Sequence, residues 1–134
     1  MHFYKRAQIF VADIWGAYGR QTDSSHPFYF YDMDQLTMFA DYRIPQILRH
    51  VGILEYSEIL ASRVDNFEVI PFGCDEESEI RACTVIAVEE LRAKILEKTG
   101  QSLTSVEIDW LLWNWGEQVK DTIKPHHRTL TIFY

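Results

Sequence analysis

Apolar residues at Phe3, Ala7, Phe10, Val11, Ile14, Trp15 and Tyr18 recur at the three-to-four spacing that lines one face of a helix. The spacing predicts a helix from Phe3 to Tyr18, with Arg6 and Asp13 opposite the stripe and Lys5 at its flank. From Arg20 to Tyr31 the pattern breaks into Asp, Ser, His26 and Pro27, which reads as a surface loop, although Phe28 to Tyr31 make its second half aromatic enough to lean on the core or on a partner. Asp32 or Asp34 is placed to cap a short helix carrying Leu36, Met38 and Phe39 to about Tyr42. Pro45 suits the first position of the next helix and pushes Ile44 out of helical geometry; Ile47, Leu48 and Val51 are that helix's apolar residues and Gly52 its stop.

Ser57 caps a further short helix from Glu58 to about Val64, so the two form a helical hairpin with a glycine-containing connection. After an irregular apolar piece, Phe67 to Phe72, the acidic run Asp75 to Glu79 opens a long helix marked by Ile80, Thr84, Ala87, Val88, Leu91 and Ile95 and closed by Gly100. Thr104 and Glu107 form a T-x-x-E capping box ahead of a last helix from Ser105 to about Val119. The tail from Pro125 alternates at Leu130 and Ile132 and is expected to be extended. No repeat, low-complexity tract or linker divides the chain, which reads as one all-α domain.

Composition narrows the chemistry. With 134 residues, 47% of them hydrophobic, the chain is long enough for a core that needs neither metal nor disulfide. A net charge of −7 argues against direct binding to nucleic acid, which needs a basic face, and favours a small ligand. Cys74 and Cys83 show no C-x-x-C pairing and no secretory pattern precedes the first helix, so the expected setting is reducing and cytoplasmic. The apolar runs fall far short of a membrane span.

Motif scanning excludes the commonest sites. The five histidines include no H-x-x-x-H or H-E-x-x-H pair, so no metal is expected, and no Gly-rich phosphate loop or G-x-S-x-G elbow is present. Trp110 and Trp113, three apart on the last helix, read as core in preference to a stacking platform, and Trp115 lies off their stripe. Glu79 and Arg81, two apart, cannot face each other on a helix, so each needs its own partner. Asp41, among Phe39, Tyr42 and Arg43, is either an acid whose pKa burial would raise or a helix-terminal carboxylate paired with Arg43; Lys5 alone reads as a surface cation.

The strings Phe3-Tyr4-Lys5-Arg6-Ala7-Gln8-Ile9, Val11-Ala12-Asp13-x-Trp15 and Leu36-Thr37-Met38-Phe39-Ala40-Asp41-Tyr42-Arg43-x-Pro45-Gln46-x-Leu48 follow one another in order. Gly52-x-Leu54-x-Tyr56-Ser57, Glu79-Ile80-Arg81-x-Cys83, Leu112-Trp113 and Ile132-Phe133-Tyr134 continue the series. Together they closely resemble the queuosine salvage family, the queuosine 5′-phosphate N-glycosylase/hydrolases. The resemblance implies an all-α fold like that of the helix-hairpin-helix DNA glycosylases. It also implies hydrolysis of the N-glycosidic bond of queuosine 5′-monophosphate, a small nucleotide, to free queuine for tRNA modification, with no cofactor.

By the same resemblance Lys5 and Asp41 are the active-site lysine and aspartate. A carboxylate held against the anomeric carbon stabilises an oxocarbenium-like transition state and can orient or deprotonate water, the role expected of Asp41. A 7-deazapurine leaving group lacks the basic ring nitrogen of a purine, so hydrogen bonds to its other polar atoms are expected to carry more of its departure. Lys5 would hold the 5′-phosphate or keep Asp41 ionised. Asp13 projects about 80° round the helix from Lys5 and is a candidate ligand contact or a plain surface acid. Tyr42 and Arg43 are further substrate-binding candidates, as is Phe39, for which core packing is an equal contender. The family is usually more than twice as long, and the match falls on its C-terminal part. The alternative expectation is therefore a truncated or split half-domain that binds a queuosine-like ligand without turnover, completed by a second copy of itself or by an N-terminal partner chain.

Overall fold

A computed structural model describes residues 3–134 and contains five α-helices. They are α1 (Lys5–Ala17), α2 (Arg43–His50), α3 (Glu58–Asp65), α4 (Asp75–Thr99) and α5 (Ser105–Val119), with a short 3₁₀ turn at Met33–Gln35. Among the described residues there is no strand; Val69 and Arg128 form an isolated parallel bridge, in which Ile70 N–H donates to the Arg128 carbonyl at 2.7 Å. No helix among them is long and apolar enough to cross a membrane.

The inward row of α1 differs from the bulky apolar stripe expected for it. Ala12 and Trp15 are buried, whereas Phe10 is 67% exposed and Ala7 and Tyr18 also face outward. A polar residue sets the rotation: Gln8 accepts from Thr37 N–H at 2.9 Å and donates to the Phe3 carbonyl at 3.0 Å, so Gln8, Ala12 and Trp15 form the inner row. The helix also begins two residues later than the spacing predicts, because Tyr4 adopts a left-handed conformation (φ 48°) that cannot continue a helix. Phe28 stacks on Tyr18 at 4.0 Å and Phe30 packs beside Trp15 and Met33, so the aromatic loop folds back on α1.

The short helix expected to run to about Tyr42 shrinks to the turn at Met33–Gln35, and Leu36 to Ala40 run without helical structure. Tertiary packing explains the difference. Met38 and Ala40 enter one core cluster with Ile44, Ile47, Leu48, Val88, Ile108 and Leu112, while Phe39 enters another with Ala12, Trp15 and Val106. An extended segment sends alternate side chains to opposite faces and so serves both clusters, which 100° helical steps would not.

Nor does Pro45 open α2. It is the third residue, where an N–H would lack an intrahelical acceptor anyway, and Ile44 is helical. Residues Arg43 to Leu48 are all buried, and α2 packs between α5 and α4. The approach to α5 is close enough that a Cβ on Gly116 would stand 2.9 Å from Arg43 Cγ, so this position takes glycine.

Elsewhere the punctuation holds. Ser57 Oγ accepts from Leu60 N–H at 3.3 Å to cap α3, and α4 runs from the acidic start to Gly100, whose φ of 71° ends it. Thr104 and Glu107 form the reciprocal capping box at the start of α5. Thr104→Ala is expected to cost about 1 kcal/mol of stability, measured by urea unfolding. On α5, Trp110 packs 6.2 Å from Trp15, but Trp113 is 43% exposed and is not a core residue: the buried row passes through Leu112 and Gly116.

Candidate functional site

The extended segment delivers Asp41 to the first turn of α2. Its Oδ1 accepts from the backbone N–H groups of Arg43 and Ile44, each at 3.0 Å, and so satisfies two of the helix's orphan donors. Asp41 is buried, and among the described residues its Oδ2 accepts no hydrogen bond. Burial pushes its pKa up; the Ile44 N–H, the Lys5 cation and the Arg43 N–H oppose this, and the net direction is upward.

Lys5, at the start of α1, is half-buried. Burial lowers its pKa, Asp41 and Asp109 pull it back up, and Arg81 and Arg6 add to the lowering. Neither carboxylate lies within ion-pairing distance of Lys5, so the three groups interact across space.

Asp109 is the residue that the sequence reading missed. It is buried on α5, and its Oδ1 accepts from Phe39 N–H at 2.8 Å. Burial pushes its pKa up to about 8, with the Phe39 N–H pulling down and the Asp41 charge adding to the rise. The signal was available: Asp109 sits three residues after Val106 and three before Leu112, a carboxylate on an otherwise apolar row. A carboxyl that binds its proton more tightly in the folded chain stabilises the fold below its unfolded pKa near 4, and this contribution fades as pH rises towards 8. Asp109→Asn is therefore expected to show a shallower fall in melting temperature than the unsubstituted chain between pH 4 and pH 8.

A second buried cluster stands beside the first. Arg81 Nε donates to the Ala40 carbonyl at 3.2 Å, immediately before Asp41, and its Nη1 meets Glu77 at 3.1 Å. Tyr134 donates to Glu77 Oε1 at 2.7 Å, and His127 Nε2 lies 2.8 Å from the Tyr134 oxygen. The single Tyr134 O–H is thus committed to Glu77, so His127 donates through Nε2, and its buried Nδ1 keeps a lone pair with no partner among the described residues. Burial holds His127 neutral by pushing its pKa down to about 4. Arg81 has the separate partner that its spacing from Glu79 calls for: its carboxylate is one helical turn back, at Glu77.

Next to both clusters opens a cavity of about 500 Å³, walled by Phe3, Lys5, Phe72, Glu77, Arg81 and Phe133 among others. Phe3 lies 4.2 Å from the Arg81 guanidinium, and Phe72 stacks on Phe133 at 5.5 Å. Asp41 is not itself part of the wall; Lys5 is, and links the cavity to the carboxylates.

Of the six residues singled out in the sequence, Lys5 and Asp41 act on each other's charge, though farther apart than an ion pair. Phe39 is buried against α1 and α5 and reaches the site only through its N–H. Asp13 is exposed on α1 and makes no hydrogen bond or ion pair among the described residues. Tyr42 packs on the His126 ring at 4.5 Å, and Arg43 turns to Glu117 at 2.6 Å, not to Asp41. Both therefore face the C-terminal tail and α5. Among the described residues no group of three or more His, Cys, Asp or Glu side chains is placed to hold a metal ion.

The sequence model of the family described as queuosine salvage protein matches residues 1–134. The chain is 53% identical over 133 residues to the queuosine 5′-phosphate N-glycosylase/hydrolase of Dictyostelium discoideum, an alignment covering 98% of this chain and 40% of that protein. Against the protein of the same name from Sphaerobacter thermophilus it is 48% identical over 134 residues, covering 100% of this chain and 40% of that protein. The mouse protein of that name is 39% identical over 140 residues, 98% of this chain and 40% of its own length. The chain thus spans about 40% of the length of these curated relatives. A match over the whole of this sequence, with relatives of 39–53% identity, leads to one assignment: the chain belongs to the queuosine salvage protein family.

Proposed function

We propose that this chain carries the bond-breaking centre of an enzyme that hydrolyses the N-glycosidic bond of queuosine 5′-phosphate and frees queuine. The observation that carries the reading is the buried Asp41 carboxylate, anchored among the described residues through Oδ1 and coupled by charge to a lysine that lines a nucleotide-sized cavity. Glycosidic cleavage builds positive charge on the ribose, and a carboxylate fixed by two backbone donors meets that charge without reorganising. Lys5 and Arg6 at the cavity suit the 5′-phosphate, and Phe3, Phe72 and Phe133 offer apolar surface to base and sugar. We take the matched stretch as the C-terminal part of the longer relatives and place it in the cytoplasm, a setting that the unpaired Cys74 and Cys83 fit.

Titration of queuosine 5′-phosphate into the labelled chain, followed by amide NMR and by chromatography for free queuine, tests this reading. Shifts at Lys5, Phe72, Arg81 and Phe133 with release of the base support it; shifts confined to other surfaces overturn it. Because the Lys5 cation favours the ionised form of Asp41, Lys5→Met is expected to move the acid limb of the pH–rate profile upward.

A second reading, a half-site completed by another copy or by a partner chain, is favoured by Phe10, Leu130 and Ile132, which are 67%, 84% and 70% exposed. Sedimentation with turnover measured across protein concentrations separates the two: specific activity that rises with association favours the second.

A further inference from the structure

Two side chains grip the peptide segment that precedes Asp41. On one side Asp109 Oδ1 takes the Phe39 N–H at 2.8 Å; on the other Arg81 Nε holds the Ala40 carbonyl at 3.2 Å. Arg81 lines the cavity and has a direct route to a ligand. Asp109 does not line it and is buried on a row of α5 otherwise filled by Val106 and Leu112. A buried carboxylate in such a row costs stability unless hydrogen bonds offset it, and the donor that meets Asp109 is the Phe39 N–H.

We infer that Asp109 is a positioning residue for Asp41 and Lys5, fixing the Asp41 segment through the Phe39 amide. The inference rests on the function proposed above for its catalytic meaning, but its physical content does not. Phe39 follows Met38 in an extended run with no neighbouring strand, so its N–H has no ladder partner, and the Asp109 carboxylate takes that place. Asp41 lies two residues on, and the same anchor sets where its Oδ2, opposite the oxygen that caps α2, stands. Among the described residues, the charges that act on Lys5 include Asp41 from this segment, Asp109 from α5, Arg81 from α4 and Arg6 from α1 itself, and Glu77 shares the cavity wall with it. Asp109 thus joins Asp41 in favouring the lysine's cation.

Two variants separate the roles. Asp109→Asn keeps an oxygen for the Phe39 N–H and removes the titrating carboxyl, whereas Asp109→Ala removes both. In ligand-free protein, hydrogen exchange at Phe39 N–H is expected to quicken about tenfold or more in Asp109→Ala, and to return to within about threefold of the parent in Asp109→Asn. Lys5, followed by NMR of its side chain, is expected to titrate at lower pH in Asp109→Asn than in the parent. Exchange at α4 amides and the helical circular dichroism serve as controls for folding; if Asp109→Ala fails to fold, the Lys5 titration in Asp109→Asn decides. Unchanged Phe39 exchange in a folded Asp109→Ala, or an unchanged Lys5 titration in Asp109→Asn, overturns the inference. Neither readout needs turnover, so an inactive parent chain would count against the proposed function and not against this role. Where turnover is measured, a fall in kcat at constant KM in Asp109→Ala, partly restored in Asp109→Asn, is the expected split.

Discussion

Asp41→Asn is expected to lower kcat/KM for queuosine 5′-phosphate by roughly 10²–10³, about 3–4 kcal/mol of transition-state stabilisation, with little change in stability. The asymmetry follows from what each atom of Asp41 does. Its Oδ1 holds the N–H groups of Arg43 and Ile44, and an asparagine oxygen can take over that cap. Its charge, which an amide cannot supply, is what a ribose gaining positive charge needs. Asp41→Ala loses both and is expected to destabilise α2 by about 1 kcal/mol in addition. Kinetics and urea unfolding on the two variants separate the chemical part from the structural part.

The second large effect is on stability. Glu77→Ala is expected to destabilise the chain by about 3–5 kcal/mol, because it leaves the Arg81 guanidinium buried without its carboxylate. Tyr134 loses its acceptor in the same step, and Gly73 N–H, which donates to Glu77 Oε2 at 3.1 Å, loses its own. Replacing both charges together, as in Glu77→Leu with Arg81→Met, is expected to recover part of the loss, since no unpaired ion remains while the Tyr134 O–H and Gly73 N–H still lack their acceptor. Urea unfolding of the single and double variants measures the difference. An equal loss in the two would show that the hydrogen bonds Glu77 accepts, or the attraction of the pair itself, outweigh the cost of an orphaned ion.

The helical architecture was legible where local chemistry dominates. The Thr104–Glu107 box, the Ser57 cap, the acidic start of α4 and Gly100 each act within one turn, and the helices begin and end at them. The segment from Leu36 to Ala40 was not legible, because its extended form answers to two clusters built by residues far away in the chain. The rotation of α1 was hidden for a similar reason: Gln8 faces inward to serve Thr37, a partner that periodicity does not reveal.

The candidate site divides in the same way. Lys5 and Asp41 stood out through the resemblance of their strings to one family, and in the fold each shifts the other's charge. Arg43 suggested itself as the partner of Asp41 by proximity in sequence, yet its guanidinium reaches Glu117 and Gln46, and only its N–H serves Asp41. Asp109 gave a sign as a charged residue on an apolar helical row, but its meaning depends on Phe39, seventy residues earlier.

The most direct test is release of free queuine from queuosine 5′-phosphate by the chain and by Asp41→Asn, compared at equal concentrations of folded protein. Release by the chain, reduced at least a hundredfold in Asp41→Asn, is the expected result. Equal release by both would contradict the central claim, placing the bond-breaking chemistry somewhere other than at Asp41.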